Sequence, residues 1–152
     1  MSIPAIPIPA LPAPWVVAAR SHLRTTALLD VCRPTGISAT VELERAAIGR
    51  LRHTYPVNAH DIEARVIGAM PEPVLSDVLA ALSAAVTVAD PLCRRLVYAA
   101  PAGDVGAIAA AEAVGFRHVI DVDLPDAELS LLVFEPSWVG ADDIDLDHVP
   151  GT

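Results

Sequence analysis

Residues 102–124 read AGDVGAIAAAEAVGFRHVIDVDL, and their local chemistry spells out three successive elements. Asp104 offers a carboxylate to the free N–H groups that open a helix, so a helix is expected over Val105–Val114. Gly115 suits the left-handed position that closes such a helix, and Phe116 is placed to fold back on its last turn. His118–Leu124 then reads as a strand.

Working outward, Glu128–Glu135 forms a second strand, joined to the first around Pro125-Asp126. Apolar residues on both faces of this pair imply a covered sheet. Upstream, Pro101-Ala102-Gly103 turns the chain after a short apolar strand, Leu96–Ala100. Before it, Val74, Val78, Leu82 and Val86, flanked by Leu75 and Leu79, make the apolar stripe of a helix over Val74–Val88, with Pro73 at its first position. Asp61–Met70 alternates, with Ile62, Ala64, Val66 and Gly68 on one face of a strand. Leu43, Ala47 and Leu51 recur at helical spacing, which predicts a helix over Val41–His53. Trp15–Ala19 and Ala27–Cys32 read as short strands.

The ends differ from this middle. Residues 1–14 form a Pro-Ala-Ile tract, read as an extended arm and a passive tail. Residues 140–152 are an acidic tail; its Asp143, Asp145 and Asp147 lack the glycine and closing glutamate of a calcium loop. A single domain is expected over 15–139.

Composition narrows the function classes. The 152 residues are 53% hydrophobic but only 4% aromatic, so the core must be mainly Ala, Val, Leu and Ile. All ten basic residues are arginine, and the net charge is −9. That charge argues against a nucleic-acid partner and is more compatible with cationic or neutral ligands. Five prolines between Pro4 and Pro14 break the uncharged start, and no stretch reads as a membrane span. A cytoplasmic location is expected. The five histidines show no metal-site spacing, so no metal is expected. Cys32 and Cys93 are too few for a disulfide framework and are expected as buried free thiols. Arg94 and Arg95 flank Cys93 and would favour its thiolate if it were exposed.

The order strand, helix, strand, helix, strand pair, together with Ala107-Ile108 and Gly115-Phe116, resembles the second half of the GNAT acyltransferase fold. The resemblance runs from about Asp61 to Val139 and implies an α/β (α+β) fold, a mixed β-sheet with helices packed on its faces. It also implies acetyl-CoA or another acyl-CoA as co-substrate and an amine acceptor, small-molecule or protein. Two departures stand out. Members of that family carry a Gly-rich loop after the central strand for the CoA pyrophosphate, where this chain has Met70-Pro71-Glu72-Pro73. Where they often carry a tyrosine that protonates the leaving thiolate, this chain has Ala111.

Acyl transfer to an amine needs a base. Glu63, on the presumed central strand, is the first candidate and His60 the second. The plain alternatives are a solvent-facing carboxylate paired with Arg65 and a loop histidine. Ser76, in the first helical turn, and Gly68 are the candidate cofactor contacts. Two readings follow: an acyl-CoA-dependent N-acyltransferase with a divergent CoA loop, or a non-catalytic GNAT-like module that binds a partner or forms a homodimer through its sheet edge.

Overall fold

Alternation governs the first half of the chain more fully than the sequence reading anticipates. The computed structural model describes residues 2–136. Strands β1 (Val16–His22), β2 (Thr26–Cys32), β3 (Ser38–Arg45) and β4 (Ile62–Ile67) form an antiparallel run. The helix expected over Val41–His53 is therefore corrected: its first residues belong to β3, and only Ala46–Ile48 makes a single 3₁₀ turn. Ala39, Val41, Leu43 and Arg45 are buried, with Thr40, Glu42 and Glu44 between them. That period of two wins because β3 is hydrogen-bonded on both sides, by β2 and β4.

Helix α1 (Glu72–Ala89) then crosses over to β5 (Leu96–Pro101), which lies parallel to β4. Helix α2 (Val105–Glu112), β6 (Arg117–Leu124) and β7 (Ala127–Phe134) complete one seven-stranded mixed sheet in the order β1-β2-β3-β4-β5-β7-β6. The expected mixed sheet with packed helices is present. β7 is covered, whereas β6 is a largely exposed edge strand, contrary to the expectation for that pair.

One sheet face carries the main core. Leu29, Val41, Leu43, Ile62, Ala64, Leu96 and Leu132 meet Leu75, Val78, Leu79 and Leu82 of α1 and the alanines of α2. By length and composition α1 meets the criterion for a membrane span, which the sequence reading did not anticipate. Its stripe is buried on the sheet instead. A smaller cluster on the opposite face joins Leu51 to Val97, Leu129, Leu131 and Val133.

The arm is docked rather than passive. Ile6 is 1% exposed and joins the main core with Leu11. The buried Arg45 guanidinium donates to the carbonyls of Pro4 (3.0 Å), Ala5 (2.7 Å) and His60 (2.7 Å) and pairs with Asp90 at 2.6 Å. The Ile6 N–H donates to the Arg24 carbonyl at 2.7 Å. The acidic tail at 140–152, with His148, lies outside the described residues.

Candidate functional site

Pairing between the parallel strands stops at Ala64↔Tyr98, although β4 continues to Ile67 and β5 to Pro101. The strands splay, and the gap opens into a cleft of about 350 Å³ lined by Val66, Gly68, Met70, Leu75, Tyr98 and Gly106, among others. Gly68 ends β4 with φ +91°, a left-handed backbone that glycine adopts without strain. Two helix N-termini face the same cleft, because Glu72 and Asp104 also line it. Tyr98 is nine-tenths buried and lines the cleft. Burial, then Asp104, raises its pKa.

A diphosphate does not fit these helix ends. At α1, the Val74 and Leu75 N–H groups already donate to the Pro71 carbonyl, both at 3.0 Å, and Pro73 has no N–H to give. At α2, Asp104 accepts the Ala107 N–H at 3.0 Å. Glu72 lies across the gap: a Cβ built on Gly106 would come 2.7 Å from its Oε1. Asp104 and Glu72 thus set two carboxylates at the α2 N-terminus, and Pro71 and Pro73 leave α1 short of free N–H donors, where the phosphates of a nucleotide would otherwise be drawn.

The four candidate residues are not brought together. Gly68 alone lines the cleft. The Ser76 hydroxyl donates to the Ala110 carbonyl at 2.8 Å, tying α1 to α2 rather than facing a ligand. Glu63 is not solvent-facing; it is 1% exposed on the helix-free face. Arg50 donates to its Oε2 at 2.7 and 3.1 Å, and Arg65 to its Oε1 at 2.9 Å. Arg65 also reaches Glu42 (2.9 Å) and Glu44 (3.0 Å), so a charged ladder runs across β3 and β4. Burial opposes the Arg65 charge, but Glu63, Glu44 and Glu42 outweigh it and raise its pKa. With both oxygens held by guanidinium donors, Glu63 is poorly placed to take an ammonium proton.

His60 lies at the other end of β4. Its Nδ1 is buried, 3.7 Å from Asp90, with no hydrogen-bond partner among the described residues. Beside it, Asp61 is fully buried and accepts from the Tyr55 hydroxyl (3.1 Å) and the Asn58 N–H (3.0 Å), while its Oδ1 has no such partner. Burial raises the Asp61 pKa, and burial followed by Asp61 raises that of Tyr55. Cys93 is buried as expected, whereas Cys32 is exposed. Burial, then Asp90 and Asp61, pushes the Cys93 thiol up to about 12, so the neighbouring arginines do not activate it. Among the described residues no group of three His, Cys, Asp or Glu side chains is placed to hold a metal ion.

Sequence reasoning missed Tyr98 and Arg50. Tyr98 reads as one more apolar strand residue, and only the splay gives it a cleft to face. Arg50 sits in a turn segment 13 residues from Glu63, and no spacing rule links them.

The architecture is the GNAT acyltransferase fold. No family model matches the chain, and no curated protein matches it in sequence. The solved structures do. A protein of undetermined role from Bacillus halodurans is 19% identical with a TM-score of 0.65 over 73% of this chain, which spans only 59% of that protein. Aminoglycoside acetyltransferase AAC(6')-Ib, solved with paromomycin and acetyl-CoA, is 12% identical with a TM-score of 0.65, covering 76% of this chain and 68% of its own. Mycobacterium smegmatis RimJ, solved with a CoA disulfide, gives 12% and 0.53, covering 76% of this chain and 55% of its own.

Proposed function

We propose that the chain is a GNAT-type N-acyltransferase that holds its acyl donor by the pantetheine arm, with the diphosphate left in solvent. The carrying observation is the splay of β4 from β5, which leaves the Arg65–Ile67 edge unpaired on its β5 side. An amide-bearing arm can add to such an edge as a short strand. Tyr98 and the apolar side chains of Val66, Met70 and Leu75 line the slot. The fold's solved neighbours include CoA complexes, and AAC(6')-Ib is solved with amine-bearing aminoglycosides, which supports an amine acceptor here. A net charge of −9 favours a cationic one.

A second reading is a non-catalytic GNAT-like module, a homodimer or partner-binding unit. It is favoured by the locked Glu63 carboxylate and by Ala111, which offers no proton. Calorimetry with acetyl-CoA and with S-acetylpantetheine, followed by transfer assays on a polyamine panel, separates the two. The first reading expects affinities within about tenfold of each other, because the phosphates contribute little, and measurable transfer. Acetyl-CoA binding a hundredfold tighter than the phosphate-free donor would overturn the account of the helix ends. No heat with either donor at millimolar concentration, with the fold intact, would leave the module.

A further inference from the structure

We propose a second binding site, for a small monocarboxylate with a flat or branched apolar body, at the foot of the helix-free sheet face. A cavity of about 370 Å³ opens there between the turn Thr54–Pro56 and strands β6 and β7. That is at the small end of ligand pockets. It lies at the beginning of β5, on the other sheet face and at the other end of the strand from the splayed cleft, so it stands or falls independently of the acyltransferase reading.

Three features shape it. The β6–β7 register slips between His118 and Ile120, and this bulge brings two consecutive apolar side chains, Val119 and Ile120, to the cavity wall. They are 40% and 41% exposed beside an apolar floor, here Val133. The Tyr55 ring forms the opposite wall and is held there, because its hydroxyl donates to Asp61 behind it. Arg95 stands at the rim with its guanidinium 5.9 Å from the Tyr55 ring centre and only a long 3.3 Å bond to the Pro56 carbonyl. It has no carboxylate at ion-pair distance among the described residues, only the buried Asp61 within coulombic reach behind Tyr55, whereas Arg117 on the far rim is paired with Glu135 at 2.6 Å.

A cation is repelled by this rim. An inorganic phosphate would pair with Arg95 too, but its remaining oxygens would lose hydration against Val119, Ile120 and Val133. A carboxylate satisfies Arg95 by a charge-assisted pair while its hydrocarbon covers the exposed valine and isoleucine.

The test is titration of the full-length protein with phenylacetate and with isovalerate, followed by backbone amide shifts and calorimetry. Millimolar or tighter binding is expected, with shifts at Tyr55, Val119 and Ile120. Phenylacetamide, equal in shape but uncharged, should bind about tenfold more weakly, and Arg95→Gln should weaken phenylacetate by a similar factor. Arg117→Gln should matter less. Ile120→Asp, on an exposed edge strand, should abolish binding with the amide spectrum otherwise intact. Equal affinity for acid and amide, no effect of Arg95→Gln, or no shifts at high millimolar ligand would each overturn the proposal. So would an affinity that falls as protein concentration rises, since a second copy would then fill the cavity.

Discussion

The two faces of this one sheet are built on different physics. Toward the helices, Leu29, Val41, Leu43, Ile62 and Ala64 give an apolar surface that α1, α2 and the arm cover. On the other side of the same β3 and β4 strands, Glu42, Glu44, Glu63 and Arg65 stand in cross-strand register, closed by Arg50 from the following turn. Apolar packing tolerates many partners, whereas an ion ladder specifies its own register, since a slip of one residue would set glutamates against the core. The lesson is that alternation here encodes a buried apolar surface and a half-buried charged one.

The strongest way to break this contrast is through the ion of the apolar side. Arg45→Met should cost about 3–5 kcal/mol, because it leaves Asp90 and three carbonyls without a donor inside the core. Denaturant unfolding would measure it, and faster proteolysis within residues 3–14 would show the arm released. A loss below about 1 kcal/mol would mean that Arg45 adds little to the seating of the arm.

Glu63→Ala should cost less, about 1–3 kcal/mol, although Glu63 is equally buried. Its partners Arg50 and Arg65 keep 34% and 23% side-chain exposure and can return to water. Glu63→Gln also sharpens the functional side: retained acyl transfer in this variant shows that Glu63 is structural. A thousandfold loss with unchanged stability would make it the base.

Gly115→Val should cost about 1 kcal/mol or more. Gly115 has φ +99°, and an added Cβ would lie 3.4 Å from the Phe134 ring. The helix closes as expected, with the Gly115 N–H on Glu112 at 3.2 Å and the Phe116 N–H on Ala111 at 3.1 Å. Thermal melts would detect the loss.

The smallest effect is a pH slope. Burial raises the Asp61 pKa, so the folded state holds this proton after the unfolded state has released it. Asp61 therefore destabilises progressively as pH rises from its ordinary value of 3.8 toward the raised folded value. Asp61→Asn should remove that component, and the variant should gain on the wild type over that window. An unchanged difference between the two from pH 3 to pH 8 would show that Asp61 is not the source.

Much of the second half was legible because its signals are local. Asp104, Gly115 and the α1 stripe each speak for themselves within a few residues. In the first half β1, β2 and β4 were legible too, but β3 was not, because it shows helical and strand spacings at once and only its neighbours decide between them. The docking of the arm is not legible for the same reason: its prolines say extended, but Arg24 and Arg45 decide what it touches. At the cleft, Gly68 and the proline-bound loop could be read, while Tyr98 needed the splay and Glu63 needed Arg50.

The docked arm also sets an order of events during synthesis. Pro4 leaves the ribosome 41 residues before Arg45, and Asp90, which fixes the Arg45 guanidinium, follows 45 residues later still. At about 5–20 residues per second the arm waits several seconds for its seat. Its prolines suit that wait, since they lack N–H donors and resist pairing with the emerging β1–β2 hairpin. The arm, made well before its seat, is thus among the last segments to settle, and a nascent chain stalled before Asp90 should carry it unprotected.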